Sequence, residues 1–264
     1  MKIKEIALLS QFEHENIVRY IGTEMDESNL YIFIEFVTKG SLLSLYRRYK
    51  LRDSQVSAYT RQILHGLKYL HDRNIVLQRT VNGEFFHRTV FYIFIGSDKQ
   101  QSHKGFSVRN SNRDIKCANI LVDANGSVKV ADFGLAKVTI LNDIKSCHGT
   151  AFWMAPEVVR GKVNGYGLPA DIWSLGCTVL EMLTGQVPYS PMERISAMFR
   201  IGKGELPPVP DTLSRDARDF ILQCLKVNPD DRPTAAQLLD HKFARGHSSQ
   251  SSGSASPHIP RRGY

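Results

Sequence analysis

Arg113-Asp114-Ile115-Lys116-Cys117-Ala118-Asn119, followed by Asp132-Phe133-Gly134 and later by Ala155-Pro156-Glu157, is the ordered set whose reading decides the fold. Between its first two parts lie two short apolar runs, 120–122 and 128–131, with Asn125-Gly126 between them as a hairpin turn. A carboxylate, a cation and an amide are thus followed, across one hairpin, by a second carboxylate. Phosphoryl transfer needs a carboxylate to orient the attacking hydroxyl, oxygen ligands for Mg²⁺, and a cation to neutralise the transferring phosphate. Asp-Phe-Gly alone is a weak signal. Preceded at this distance by Asp-x-Lys-x-x-Asn and followed by Ala-Pro-Glu, it is a strong one, because ordinary turn residues would have to fall into the whole order by chance.

Outward from this centre the pattern is strands first and helices later. Ile3, Ile6, Leu9 and Phe12 stand at helical spacing. Runs 17–23 and 30–36 read as strands joined by Asp26-Glu27-Ser28-Asn29. A long helix is expected over 54–72, with Val56, Tyr59, Ile63, Leu67 and Leu70 as its apolar stripe and Asp53 or Ser54 as its cap. Residues 170–183 are apolar nearly all round, as a central buried helix requires, and Gly185 stops it. Ser214 opens another helix, and Thr234-Ala235-Ala236-Gln237 is a capping box.

The 264 residues are 42% apolar and 23% charged, an ordinary globular composition. The formal net charge of +8 is concentrated: residues 77–112 and 244–264 carry +3 each, so no nucleic-acid surface is expected. The longest apolar run, Val90-Phe91-Tyr92-Ile93-Phe94-Ile95, is too short to cross a bilayer, and Met1-Lys2-Ile3-Lys4-Glu5 does not read as a signal peptide. Cys117, Cys147, Cys177 and Cys224 form no Cys-x-x-Cys pair, which fits a reduced, cytoplasmic protein.

The sequence resembles the Ser/Thr protein kinases over residues 3–76 and 113–243. Ser41-Leu42-Leu43, Asp114 to Val122 and Gly149-Thr150-Ala151-Phe152-Trp153-Met154-Ala155-Pro156-Glu157 are similar to MEKK-type MAP kinase kinase kinases, the plant members above all. The resemblance implies an α+β, protein kinase-like fold: mainly a helical C-lobe (38–243), with an incomplete N-lobe (1–37) holding one helix and the last strands. Residues 244–264, rich in Ser, Gly and Arg, are expected to be a disordered tail. The implied activity is transfer of the ATP γ-phosphate, with Mg²⁺, to Ser/Thr of a MAP kinase kinase. No partner beyond that substrate, and no oligomeric state, is implied.

By the same resemblance Asp114 is the catalytic base and Lys116 the cation at the γ-phosphate, while Asn119 and Asp132 hold the metal. The Glu35 carbonyl and the Val37 amide meet adenine, Leu121 belongs to the same nucleotide site, and Ile34 falls at the gatekeeper position. Glu5 aligns with the helix glutamate that pairs with a strand-borne lysine; its alternative is a surface glutamate. Asp171 braces the catalytic loop, and Arg232 is the buried partner of Glu157. Thr150 favours hydroxyl substrates. Arg113 precedes Asp114 as in kinases switched on by loop phosphorylation, so a dianion on Ser146 or Thr139 could pair with it; the alternative is two solvated loop hydroxyls.

Two departures stand against the match. The phosphate-cradling glycine loop and its lysine belong upstream of Glu5, where four residues stand; Lys2 and Lys4 share the helical segment of Glu5 and cannot face it. Gly165-Tyr166-Gly167 follows no strand and is a decoy. Activity of the chain is therefore expected to be impaired. Second, residues 77–112 stand where the family has a single histidine before Arg-Asp, with no helical or strand period over most of their length. Translated intron and natural regulatory insert both account for that segment, and Met1 reads as an alternative or mis-assigned start. The alternatives to an active kinase are a pseudokinase-like C-lobe that binds MAP kinase kinase without phosphorylating it, or an unfolded product, given the apolar 90–95.

Overall fold

The computed structural model describes residues 11–26, 29–75, 88–93, 105–107, 115–131, 151–161 and 167–246. A small mixed sheet precedes a helical body. Strands β1 (Tyr20–Met25) and β2 (Asn29–Ile34) pair antiparallel, with a register shift between Tyr20 and Gly22. Both begin or end inside the runs the sequence marks: Ile17 makes only an isolated bridge, to Val130, and Glu35 and Phe36 lie beyond β2.

The far edge of β2 is taken by β3 (Arg88–Ile93), which runs parallel to it, and β3 pairs antiparallel with β4 (Gly105–Ser107). Both strands come from the atypical segment 77–112, where no strand was expected. Thr89, Val90, Phe91, Tyr92 and Ile93 are β-branched or aromatic throughout, and an unpaired strand edge recruits such a run. The small sheet thus has four strands and not two.

Helix α1 (Leu42–Arg48) is capped by Ser41, whose Oγ accepts from the Ser44 amide at 3.2 Å. Helix α2 (Asp53–His71) buries Val56, Ile63, Leu64, Leu67 and Leu70 along one face, each contributing about 1.5–3 kcal/mol by leaving water. Its cap differs from the expected Asp53 or Ser54. Arg52 is the N-cap residue, and the Gln55 side chain reaches back to accept from the Arg52 amide at 3.1 Å. The Gln55 amide in turn donates to the Arg52 carbonyl at 2.9 Å, so this cap, made by the Gln55 side chain alone, needs no Asp or Ser at the boundary.

Between the sheet and the helices sits the hairpin of β5 (Ile120–Val122) and β6 (Val128–Val130), turned at Gly126 with φ +83°. Two chain segments are stitched to it. On one side the Val18 amide donates to the Val130 carbonyl (3.0 Å), the Val130 amide to the Asn16 carbonyl (2.9 Å), and Asn16 Nδ2 to the Val128 carbonyl (3.0 Å). On the other, the Lys39 amide donates to Val122 and the Val122 amide to Gly40 (2.9 and 2.8 Å).

After a short helix α3 (Pro156–Val159) comes α4 (Leu168–Thr184), buried from Ala170 to Leu183 and ended by Gly185 in the left-handed conformation, φ +67°. Helix α6 (Arg215–Cys224) packs against it; α5 (Arg194–Lys203) packs on α3, and α7 (Ala235–Leu239) and α8 (Lys242–Arg245) pack on α2. Ser214 caps α6 by accepting from the Ala217 amide at 3.3 Å, and Thr234 and Gln237 complete a reciprocal cap on α7 at 2.8 and 3.2 Å. Helices α4 and α6 cross closely: a Cβ on Gly176 would stand 2.6 Å from the Cys224 Cβ. Among the described residues no helix is long and apolar enough to span a membrane.

Candidate active site

The segment 115–119 lies on the buried face of α4 and is held there by its backbone. The Thr178 hydroxyl stands 2.8 Å from both the Ile115 carbonyl and the Ser174 carbonyl, so the helix back-bonds to the loop through one side chain. The Cys117 amide donates to Glu181 Oε2 at 3.2 Å. Residues 117–119 then form one 3-10 turn, closed by the Asn119 amide on the Lys116 carbonyl at 2.9 Å. Pinned at Ile115 and Cys117, the chain leaves the half-buried Lys116 and Asn119 on either side of Cys117, which is itself wholly buried. The Asn119 carbonyl accepts from the Ala131 amide at 2.8 Å, so the turn is tied to the residue just before Asp132.

Glu181 is the centre of this arrangement. Besides Cys117 it accepts from Trp153 Nε1 at 3.1 Å and from the Tyr46 hydroxyl at 2.8 Å. One carboxylate therefore joins α1, the 115–119 segment and the 3-10 turn Ala151–Trp153 to α4. Burial pushes its carboxyl up from the ordinary value, against the opposing pull of the three donors. Burial and the same carboxylate push up the Cys117 thiol, which is thus a packed apolar group and not a nucleophile. Sequence reasoning passed over Glu181. A lone acid inside Thr178-Val179-Leu180-Glu181-Met182-Leu183 is the signal that marks it, since a buried carboxylate demands donors.

Past β2, Glu35 and Val37 lead the chain from the sheet to the hairpin. The Glu35 carboxylate accepts from the Arg19 amide at 2.8 Å and pairs with Lys129 Nζ at 2.7 Å, and the Glu35 amide donates to the Arg19 carbonyl at 2.9 Å. The Glu35 carbonyl and the Val37 amide carry no hydrogen bond among the described residues, although Val37 is buried. Buried backbone groups are nearly always paired, so this edge is set for an outside donor and acceptor. Leu121 lies half-buried on β5, where Ser41 bridges to it.

Two further pairs fix the scaffold. Arg232 meets Glu157 through two parallel bonds of 2.6 and 2.8 Å and also donates to the carbonyls of Pro169, Lys226 and Val227. Both side chains are buried, and the fork geometry satisfies the charges. Asp171, wholly buried in the first turn of α4, stands 3.0 Å from His71 Nε2 at the C-terminal end of α2. His71 was also missed; nothing in a helix-final histidine by itself announces a buried carboxylate partner. Glu5, Arg113, Asp114, Asp132, Thr139, Ser146 and Thr150 lie outside the described residues.

The family model described as "Protein kinase domain" matches residues 1–78 and 107–244. The chain belongs to the protein kinase family. The matched residues of this kinase domain leave out 79–106, inside the atypical segment. Among its relatives are mitogen-activated protein kinase kinase kinase 1 of Arabidopsis thaliana, 61% identical over 262 residues, covering 97% of this chain and 37% of the relative. Mitogen-activated protein kinase kinase kinase 9 of the same plant is 60% identical over 259 residues, covering 97% and 29%. The moss Physcomitrium patens has mitogen-activated protein kinase kinase kinase 1b, 50% identical over 243 residues, covering 92% and 27%. The kinase domain thus spans between 27% and 37% of the length of these curated relatives.

Proposed function

We propose that the protein acts as a Ser/Thr kinase of the MAP kinase kinase kinase class, phosphorylating a MAP kinase kinase. The observation that carries this reading is the anchoring of 115–119 to α4, which holds Lys116 and Asn119 in one turn and ties that turn to Ala131. In this reading Asp114 accepts the proton of the substrate hydroxyl and Lys116 neutralises the transferring phosphate. Asn119 and Asp132 offer hard oxygen donors, which suit Mg²⁺ because it takes one or two protein ligands together with substrate phosphates. The bound ion would supply charge neutralisation across the phosphates. The Glu35 carbonyl and Val37 amide, which bond to none of the described residues, fit the donor and acceptor edge of adenine.

A second reading, a C-lobe that binds a MAP kinase kinase without phosphorylating it, is favoured by one observation. Strand β2, which leads into Glu35 and Val37, is paired over its whole length by β3 from the atypical segment. One experiment separates the two. The full chain is incubated with Mg²⁺, labelled ATP and recombinant MAP kinase kinase, alongside Asp114→Asn and Asp132→Asn. Labelling that both substitutions abolish supports the kinase. Co-purification of the two proteins with no labelling and no nucleotide binding supports the second reading.

A further inference from the structure

Where α1 ends against the C-terminal end of α4, the surface opens into a pocket of about 380 Å³. Its wall carries Arg47, Arg48 and Lys50, and Leu51, Met182 and Leu183 contribute to it from the buried side. The three cations are exposed, and among the described residues none makes an ion pair or a side-chain hydrogen bond. Among the described residues no Asp or Glu lines the pocket, and Glu181, which the lining residue Tyr46 reaches, is buried and committed to Tyr46, Cys117 and Trp153. Arg47 and Arg48 are in the last turn of α1, where cations complement the helix dipole; that accounts for two of the three charges but not for Lys50, which follows the helix, nor for the cavity.

We propose that this pocket binds an acidic peptide segment of a partner protein, an apolar side chain entering the cavity between flanking Asp or Glu residues. Charge chooses this occupant over those the chain itself could supply. Residues 244–264 hold Arg245, Arg261 and Arg262 with no acid, and residues 77–112 carry a net +3, so both would be repelled. A second copy brings +8 of its own. A nucleic acid would track an extended basic stripe, whereas here three cations stand together on one wall of a cavity with apolar residues beneath it. Cationic rim over apolar floor is the complement of an amphipathic acidic peptide.

The test uses the full chain and a fluorescein-labelled peptide of alternating Glu and Leu, followed by fluorescence anisotropy. Binding is expected to weaken between about 50 mM and about 500 mM salt, as exposed charge pairs do. Reversal by Arg48→Glu or by Lys50→Glu is expected to weaken it roughly ten-fold each, and Lys242→Glu on α8, outside the pocket, to leave it unchanged. Lys50→Glu lies beyond the helix, so an unchanged melting curve separates lost binding from lost α1. Three results overturn the proposal: reversals without effect, equal binding of a Glu and Ser peptide, or displacement of the peptide by a single-stranded oligonucleotide at lower concentration than by unlabelled peptide.

Discussion

Replacing Glu181 tests whether one buried carboxylate holds the 115–119 segment in place. In Glu181→Ala the Cys117 amide and Trp153 Nε1, both buried, lose their acceptor; the Tyr46 hydroxyl, half-buried, loses one too. Each orphaned buried donor costs about 1–3 kcal/mol, so the two together cost about 2–6 kcal/mol, a large part of the stability of a typical domain. Glu181→Gln differs in kind. Its carbonyl oxygen can take the place of Oε2 and accept from Cys117 and Trp153, while its amide donates to a Tyr46 hydroxyl turned around to accept. It is expected to stay within about 1 kcal/mol of the unsubstituted protein. The pH dependence follows from burial. With the folded carboxyl raised above its unfolded value, the stability it contributes is full below the unfolded pKa and is lost as pH rises through the folded one. Glu181→Gln lacks that loss, so it gains on the unsubstituted protein as pH rises. Urea unfolding followed by tryptophan fluorescence, which reports Trp153 and Trp173, measures all three. A Glu181→Ala cost under about 1 kcal/mol, or equal costs for Ala and Gln, would refute the argument.

Arg232→Ala strands a buried Glu157 and is expected to cost about 3–5 kcal/mol, whereas the paired change Glu157→Leu with Arg232→Met restores most of it; urea midpoints of the two variants and the unsubstituted protein decide. Gly176→Ala drives a methyl to 2.6 Å from the Cys224 Cβ, forcing α4 and α6 apart at about 1–3 kcal/mol, read as a lowered melting temperature. Asp123 provides the opposite pH limb to Glu181. The Thr38 hydroxyl, at 2.6 Å, and the Ala124 amide hold its carboxyl below the ordinary value, so its contribution is present above the unfolded pKa and lost as pH falls through the folded one. Asp123→Asn should flatten the acid side of the stability profile, and an unchanged acid limb would count against the assignment.

Much of the helical body was legible because local signals and burial agree. Of the stripe Val56, Tyr59, Ile63, Leu67 and Leu70, α2 buries all but the half-buried Tyr59; Asn125-Gly126 does turn the hairpin, and Ser214 and Thr234 cap the helices they precede. What escaped depended on distant partners. The strand at Arg88–Ile93 is set by the free edge of β2, more than fifty residues earlier in sequence, and no local period announces it. The Arg52 boundary escaped because the cap is made from inside the helix by Gln55. In the candidate site the motif residues were visible as motifs, but Glu181 and His71 were not, since their work is to satisfy groups on other segments.

The two stitches on the β5–β6 hairpin set how the small sheet can move. A plate fixed at two points along one rail can rock about the line through them but cannot twist away from it. Residues 16–18 and 39–41 are those two points, and the rail they share runs directly into Ala131, the neighbour of Asp132. Rocking of the sheet is therefore delivered to Ala131 as a tug along the strand. Chain length is a different matter: residues 77–112 lie outside both stitches, and loop closure grows only slowly more costly with added residues. The joint accepts extra chain beside it and resists it only where the two stitches are made.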